Sequence, residues 1–531
     1  MKKTLTSLLV MTIAFLYLNG YSQTQLVGQR TTDKQKCFKS KQVKQWTIMV
    51  FMNGDNDLEG DAIGDINEME STIDTSLYNV IVEIDRIGGG PWNSANWIDD
   101  VSNGNWTGTR DYYILPDSDP TIINSYCTWN PGEKNMGDPQ TLIDFANNYI
   151  DNLPAYNYCL ILWDHGSGWN KKNTSNDFVK WIGYDFTNND SLDVANGEYY
   201  SALYNISSHL GRKIDLLCHD ACLMAMQEVA YEAKYFASIL IFSEHTEPGD
   251  GYPYNDILNT LNSYPSSSPA DLASIIVNSY TQSYNPGGSQ SAFGNSVTQS
   301  AIYTDSYYDI LCASINTFAQ ELINAGGIWN THIGDARYNV QQFKDPTHID
   351  LFDFADLIGI SSTLPTSLKN SALTLKNDIL NVLLAESHYT QSGGFDLTYA
   401  HGLAIYYPSY GTTLDNSYST LYYTNYYPNW WTFLQGNYPV VGIHENTLLD
   451  NIEIYPNPAN DIVNIDLSKL NQEVNKIQVY DNIGKEIISL DCKNKTSNII
   501  EVNTSKLSNG LYFVNIVCDN GTIVKKLSIQ K

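Results

Sequence analysis

Basic residues are scarce in this chain. Its 531 residues include 30 Lys plus Arg against 58 Asp plus Glu, for a formal net charge of −28. Nucleic-acid binding needs clustered cations that displace counterions from a phosphate backbone, and that footprint is missing. An acidic surface attracts cationic partners instead, Lys- or Arg-rich peptides among them, and it also keeps an exported protein in solution. Cysteine is thin as well. Eight in 531 residues is far below the density of a scaffold stapled by disulfides. The single long apolar run, Leu5–Leu18, falls short of the roughly 20 residues that span a bilayer. General disorder is excluded from the opposite side, because 42% of the residues are hydrophobic and Tyr alone contributes 38.

What is present begins with an address. Lys2 and Lys3 precede the apolar run and Gly20-Tyr21-Ser22 follows it. This is the layout of a secretory signal peptide, residues 1–22, cut after Ser22. No cysteine lies near the cut to carry a lipid, so the expected product is secreted or held at the cell surface, with no transmembrane segment. Residues 23–42 are polar and basic without apolar periodicity and read as a flexible leader or propeptide.

From Trp46 the pattern changes to short apolar runs separated by helix-compatible stretches. The runs are 46–52, 79–84, 112–115, 158–163, 214–218, 237–242 and 403–407, and helices are predicted at 61–73, 139–153, 223–234, 269–283, 305–324 and 369–386. Strands alternating with helices predict an α/β fold with a mostly parallel sheet covered by helices on both faces. In such sheets the working groups gather at the carboxyl ends of the strands. Past 441–450 the helical signals stop. Five short strands separated by turn residues predict a small all-β sandwich over 448–531, distinct from a first domain at 43–440.

Two loops stand out, each after a buried strand. The first is Trp163-Asp164-His165-Gly166-Ser167-Gly168-Trp169, where a His can project into a site while glycines turn the backbone behind it. The alternative is a plain surface turn. The second is Leu217-Cys218-His219-Asp220-Ala221-Cys222-Leu223-Met224. If the helix starts at Leu223, Cys222 stands at its N-terminus, where the dipole favours thiolate. The alternative is a small buried cysteine. Together the loops suggest a Cys–His pair in which the imidazole handles the thiol's proton. Asp164 adjoins His165, but neighbours in extended chain point oppositely, so it is not expected to act as a third member. His219 and His245 are expected to be structural.

Asp164-His165-Gly166-Ser167-Gly168-Trp169 and Asp220-Ala221-Cys222-Leu223-Met224 resemble motifs of the clostripain family of cysteine peptidases. That family shares the caspase-like fold with gingipains and legumains. Val50 to Glu59 and Ser243 to Tyr254 carry the same resemblance. It implies a secreted cysteine endopeptidase acting on protein or peptide substrates after Arg or Lys. Cys222 would be the nucleophile, His165 the general acid/base, and the backbone N–H groups of Gly166 and Cys222 the oxyanion donors. Asp220 would accept the substrate's basic side chain, unless it merely caps the following helix. The resemblance also implies activation by cleavage between the two loops, where Lys171, Lys172 and Lys180 lie.

No cofactor is expected, with calcium left open because some clostripain-like enzymes need it. The run Asp55, Asp57, Glu59, Asp61 offers oxygens at alternate positions but lacks the EF-hand pattern. A helix cap and a lining for the strand ends are its other reading. Zinc at Cys218, His219 and Cys222 matches no common spacing, which disfavours a zinc hydrolase. A catalytically silent caspase-like surface binding module is the other competitor, and it has no chemical need for both His165 and Cys222. The tyrosines between 406 and 427 read as packing surface. Finally, Tyr455-Pro456-Asn457-Pro458-Ala459, Gly510-Leu511-Tyr512-Phe513-Val514 and Lys526-Leu527-Ser528-Ile529 resemble the type A sorting domain of the type IX secretion system. That resemblance implies export through the outer membrane and the type IX machinery as a partner.

Overall fold

The computed structural model describes residue 40 and residues 42–88, 100–170, 182–291, 295–327, 330–409, 412–436, 452–468, 474–480, 485–492, 498–518 and 521–531. The signal peptide, nearly all of the leader, and Lys171, Lys172 and Lys180 lie outside them. The chain divides into two compact units between residues 439 and 440. Among the described residues no helix is long and apolar enough to cross a membrane.

The first unit opens with β1 (Lys44–Gly54), α1 (Glu59–Thr72), β2 (Asn79–Arg86), β3 (Thr109–Tyr113), β4 (Tyr126–Gly132), α2 (Pro139–Asn152) and β5 (Ala155–Trp163). A short hairpin follows, β6 (Ile182–Asp185) and β7 (Asp190–Leu192), then α3 (Glu198–Leu210), β8 (Ile214–Asp220), α4 (Gln227–Ala233) and β9 (Ala237–Phe242). Next come α5 (Tyr254–Ser263), α6 (Pro269–Tyr284), β10 (Val297–Tyr303), α7 (Ser306–Asn324), α8 (Thr331–Asn339) and β11 (His348–Asp350). The unit continues with α9 (Leu351–Gly359), α10 (Thr366–Val382), β12 (Leu383–Tyr389) and β13 (Ala404–Tyr406).

Nine of these strands form one sheet in the order β12-β10-β9-β8-β5-β1-β2-β3-β4. The central five, from β9 to β2, are parallel. Both edges are antiparallel, with β10 and β12 on one side and β3 and β4 on the other. The sheet is therefore mixed, with the expected parallel register through its centre. Strand alternation sends Met49, Phe51, Leu160, Leu162, Leu217 and Leu240 to one core with α2, α3, α4 and α7. Ile48, Val50, Cys159, Ile161, Leu216 and Ile239 go to the other, with α1, α5 and α6. Burial on both faces is why these strands read as continuous apolar runs.

Two expected elements shift. The stretch predicted as helix 369–386 divides, since α10 ends at Val382 and Leu383–Tyr389 joins the sheet beside β10. The strand predicted at 403–407 pairs with β11 in a separate two-stranded ladder. In the second unit, strands 453–455, 462–466 and 499–503 form one small antiparallel sheet. Strands 474–480, 486–491, 510–518 and 521–529 form another, and the two sheets share one apolar core.

The end of β2 is tied to the start of α1 by a buried ion pair between Arg86 and Glu59, both fully buried. Glu59 Oε2 also accepts the Asp100 N–H at 2.8 Å, and Arg86 donates to the Gly104 carbonyl. Glu59→Ala strands a buried guanidinium and should cost about 3–5 kcal/mol. Chemical denaturation of the variant followed by tryptophan fluorescence measures it.

Candidate active site

β5 and β8 run parallel with Trp163 opposite Asp220, so the residues that follow them emerge as neighbours. The Asp164 N–H still bonds the Asp220 carbonyl at 3.2 Å. Gly166 then passes against the other loop. A Cβ there would lie 2.2 Å from the Cys222 carbonyl oxygen and 3.0 Å from its nitrogen, so any side chain would push the loops apart. His165, Gly166, Asp220 and Cys222 are thus brought together at one end of the sheet.

His165 is nearly buried, and its Nε2 lies 2.8 Å from Asp57 Oδ1. Asp57 sits on the loop leaving β1, the strand beside β5. It was visible in the sequence only as one member of an acidic run. Asp164 points elsewhere, as the alternation of extended chain predicts. The side-chain amides of Asn53 and Asn56 each hold one of its oxygens at 2.8 Å, which fixes the loop rather than the imidazole. Five residues after Asp164, Trp169 is buried edge-on against Tyr406 and Tyr418, with ring centroids 5.0 and 4.9 Å away. Packing is thus the observed role of these two members of the tyrosine run.

Cys222 does not stand at a helix N-terminus. α4 starts only at Gln227, because a turn at Cys222–Leu223 and the contacts after it keep the intervening residues out of helix. The Leu223 N–H donates to the His245 carbonyl at 3.0 Å and the Ala225 N–H to the Ser243 carbonyl at 2.9 Å. The apolar composition of 223–226 favours helix, but pairing with the chain leaving β9 overrides it. Leu223 adopts φ +65°, a left-handed conformation that costs a residue with a Cβ about 1–2 kcal/mol. That strain sits directly after the thiol, whose Sγ accepts the Glu247 N–H at 3.2 Å.

Asp220 is the last residue of β8 and caps no helix. Its carboxylate accepts the Tyr252 N–H at 3.1 Å and the Tyr254 hydroxyl at 2.8 Å. Burial pushes its pKa up to about 6 in spite of these donors. Glu247 faces it and is pushed well up, by burial first and then by the Asp220 charge. Asp65, bonded at 2.6 Å to the Trp163 indole N–H, is also fully buried and raised.

The remaining histidines of these loops are structural. His219 bonds the Tyr199 hydroxyl at 2.9 Å, and His245 accepts the Lys344 N–H at 3.2 Å. Burial lowers both to about 4, which keeps them neutral. Zinc has no cage at 218–222, because consecutive strand residues face opposite cores. Cys218 lies 3.6 Å from Cys159 on one side, and His219 meets Tyr199 on the other. The acidic run fans out. Asp57 meets His165, Glu59 meets Arg86, and Asp61 lies against Gly249. The residue just before α1 is Leu58, which has no side chain able to cap it.

Both units of the chain have counterparts among known proteins. Residues 453–530 match the secretion system C-terminal sorting domain, which marks the chain for type IX export to the cell surface or beyond. Clostripain of Hathewaya histolytica is 27% identical over 444 residues, 76% of this chain and 80% of that protein. A secreted C11 cysteine protease of Bacteroides thetaiotaomicron, solved with an irreversible peptide inhibitor, shares the fold. Its TM-score is 0.53 at 19% identity, over 74% of this chain and 99% of that one. A second structure from the same organism, iotapain, gives 0.52 at 14% identity, over 73% and 99%. The clostripain family profile covers residues 50–437, nearly the whole of the unit that holds His165 and Cys222. The chain belongs to the clostripain family of cysteine peptidases.

Proposed function

We propose that this peptidase is an endopeptidase that cuts after Arg or Lys, with Cys222 as nucleophile and His165 as its acid–base partner. The observation that carries the specificity is Asp220, a buried carboxylate two residues before the nucleophile. It is linked to the thiol through Glu247, which touches both. The charges felt by the acids behind it are carboxylates. Asp250 and Asp57 act on Asp61, while Asp220, Glu68 and Asp61 act on Asp65. A guanidinium or ammonium entering here meets uncompensated negative potential and charge-assisted acceptors.

The chemistry follows from the backbone approach. The Cys222 thiolate attacks the scissile carbonyl carbon, and the N–H groups of Gly166 and Cys222 receive the developing oxyanion, each such donor supplying about 2.7–4 kcal/mol. His165, held at Nε2 by Asp57, delivers its proton to the leaving amine and leaves a thioester on Cys222. Water, deprotonated by the same imidazole, then releases the acid and restores the thiol. A cut between the His165 and Cys222 loops, at Lys171, Lys172 or Lys180, would be the enzyme acting on its own preferred residue type.

Matched fluorogenic peptides differing only in Arg, Lys or Ala before the cut provide the test. Wild type should cleave the first two and Cys222→Ala neither, and intact mass on the same preparation reads the activation cut. No cleavage after basic residues, even after limited proteolysis, would reject the reading. Asp220 should also be visible in the pH dependence. Its carboxylate is present above about 6 and lost below, so the preference for Arg over its neutral isostere citrulline should shrink as pH falls through that value. At pH 8 that preference should be roughly 10- to 150-fold, and Asp220→Asn should abolish it. Asp57→Asn should lower kcat about 10²-fold and leave KM near wild type, because it frees the imidazole without touching the substrate side chain.

A further inference from the structure

The chain leaving β9 lies against Cys222 and is held there by one side chain of β10. β9 pairs with β10 up to Phe242 opposite Ser300. The same register would next set Glu244 opposite Thr298, but the ladder stops and the chain bends. The Thr298 side chain takes over from the backbone. Its Oγ1 accepts the Glu244 N–H at 3.0 Å and the His245 N–H at 3.1 Å. It also lies 2.9 Å from Ser243 Oγ. The Ser243 hydroxyl donates to the His245 carbonyl at 3.0 Å, so the Thr298 hydroxyl donates to Ser243. Thr298 and Ser243 are both buried. Gln299, next on β10, reaches the Glu247 carboxyl at 3.4 Å.

The segment fixed in this way is the template for the residues around the thiol. Its carbonyls at Ser243 and His245 take the N–H groups of Ala225 and Leu223. Glu247 then turns both of its backbone groups to the sulfur. Its N–H donates to Cys222 Sγ at 3.2 Å, and the thiol faces its carbonyl at 3.5 Å. We propose that Thr298 is a positioning residue for the Cys222 sulfur, acting through residues 243–247 without touching the substrate. This rests on Cys222 as the nucleophile. An N–H donated to sulfur favours thiolate over thiol, which supplies here what a helix N-terminus at Cys222 would have given.

Removing the hydroxyl separates positioning from plain stability. Thr298→Val keeps nearly the same volume but leaves two backbone N–H groups and the Ser243 oxygen without their partner. A role in stability alone would lower the melting point and leave kcat of the folded enzyme unchanged. A positioning role lowers kcat, because a displaced segment moves both the sulfur and the Cys222 N–H. KM should hold, since Asp220 is fastened separately by Tyr252 and Tyr254. Thr298→Ser keeps every one of these bonds and loses only a methyl group.

The test compares full mature chains of wild type, Thr298→Val, Thr298→Ser and Ser243→Ala, each after the same limited proteolysis so that a failed activation cut does not enter. One readout is steady-state hydrolysis of a fluorogenic peptide with Arg before the cut. The other is the rate of iodoacetamide alkylation at Cys222, read by peptide mass, which needs no substrate. Thr298→Val should lower kcat and the alkylation rate about 10- to 100-fold, with KM within about threefold of wild type. Thr298→Ser should restore both rates to within about threefold. Ser243→Ala should fall in the same direction, and it decides the matter if Thr298→Val does not fold. Wild-type rates in the folded Thr298→Val or, failing that, in Ser243→Ala would overturn the proposal. So would an equal loss in Thr298→Ser, or a raised KM at unchanged kcat. A wild type that cleaves no Arg peptide would instead reject the proposed specificity, and the alkylation rates would still decide the role of Thr298.

Discussion

The parallel pairing of β5 with β8 is the constraint on which the site depends. Trp163 stands opposite Asp220, so the strands end level, and each delivers its next residues to the same edge. A slip of one residue would turn every side chain to the other face. It would also turn His165 to the opposite face or carry Cys222 out of reach of Gly166. Two apolar cores, one per face, hold that register, because both strands are packed on both sides. Gly166 then converts level strand ends into backbone contact, since nothing with a Cβ fits against Cys222.

The chain's large acidic excess is not spread as a solubilising coat alone. Part of it is drawn inward to the carboxyl ends of the strands and divided into two groups. Asp220, Asp61, Asp65 and Glu247 gather near Cys222, within reach of one another's charge. Asp55, Asp85, Glu133 and Asp185 lie behind β1 and β2. Both groups hold raised pKa values, with burial the leading cause in each.

Much of this was legible in the sequence because the relevant signals are local. The runs at 46–52, 158–163 and 214–218 declare strands buried on both faces, and the residues after the last two declare the His and Cys loops. What was illegible depends on contacts between distant segments. Residues 223–226 read as helix, but the carbonyls of Ser243 and His245 take the N–H groups of Ala225 and Leu223 and hold the segment out of helix. Residues 383–386 read as the end of a helix, but the free edge of β10 captures them. Asp57 is separated from His165 by 108 positions and meets it only because β1 lies beside β5. The group around Asp85 is assembled from four elements, and no spacing along the chain announces it.

The position of the segment between Asn170 and Ile182 has a consequence for what a cut there would make. It lies between β5 and β8, so it separates the half of the sheet that carries His165 from the half that carries Cys222. Neither fragment alone would own a complete site. The two would remain one particle through the β5–β8 ladder and the cores on its faces, so a cut enzyme would be an obligate heterodimer of its own pieces. Its working lifetime is then set by how slowly a sheet, rather than a subunit interface, comes apart.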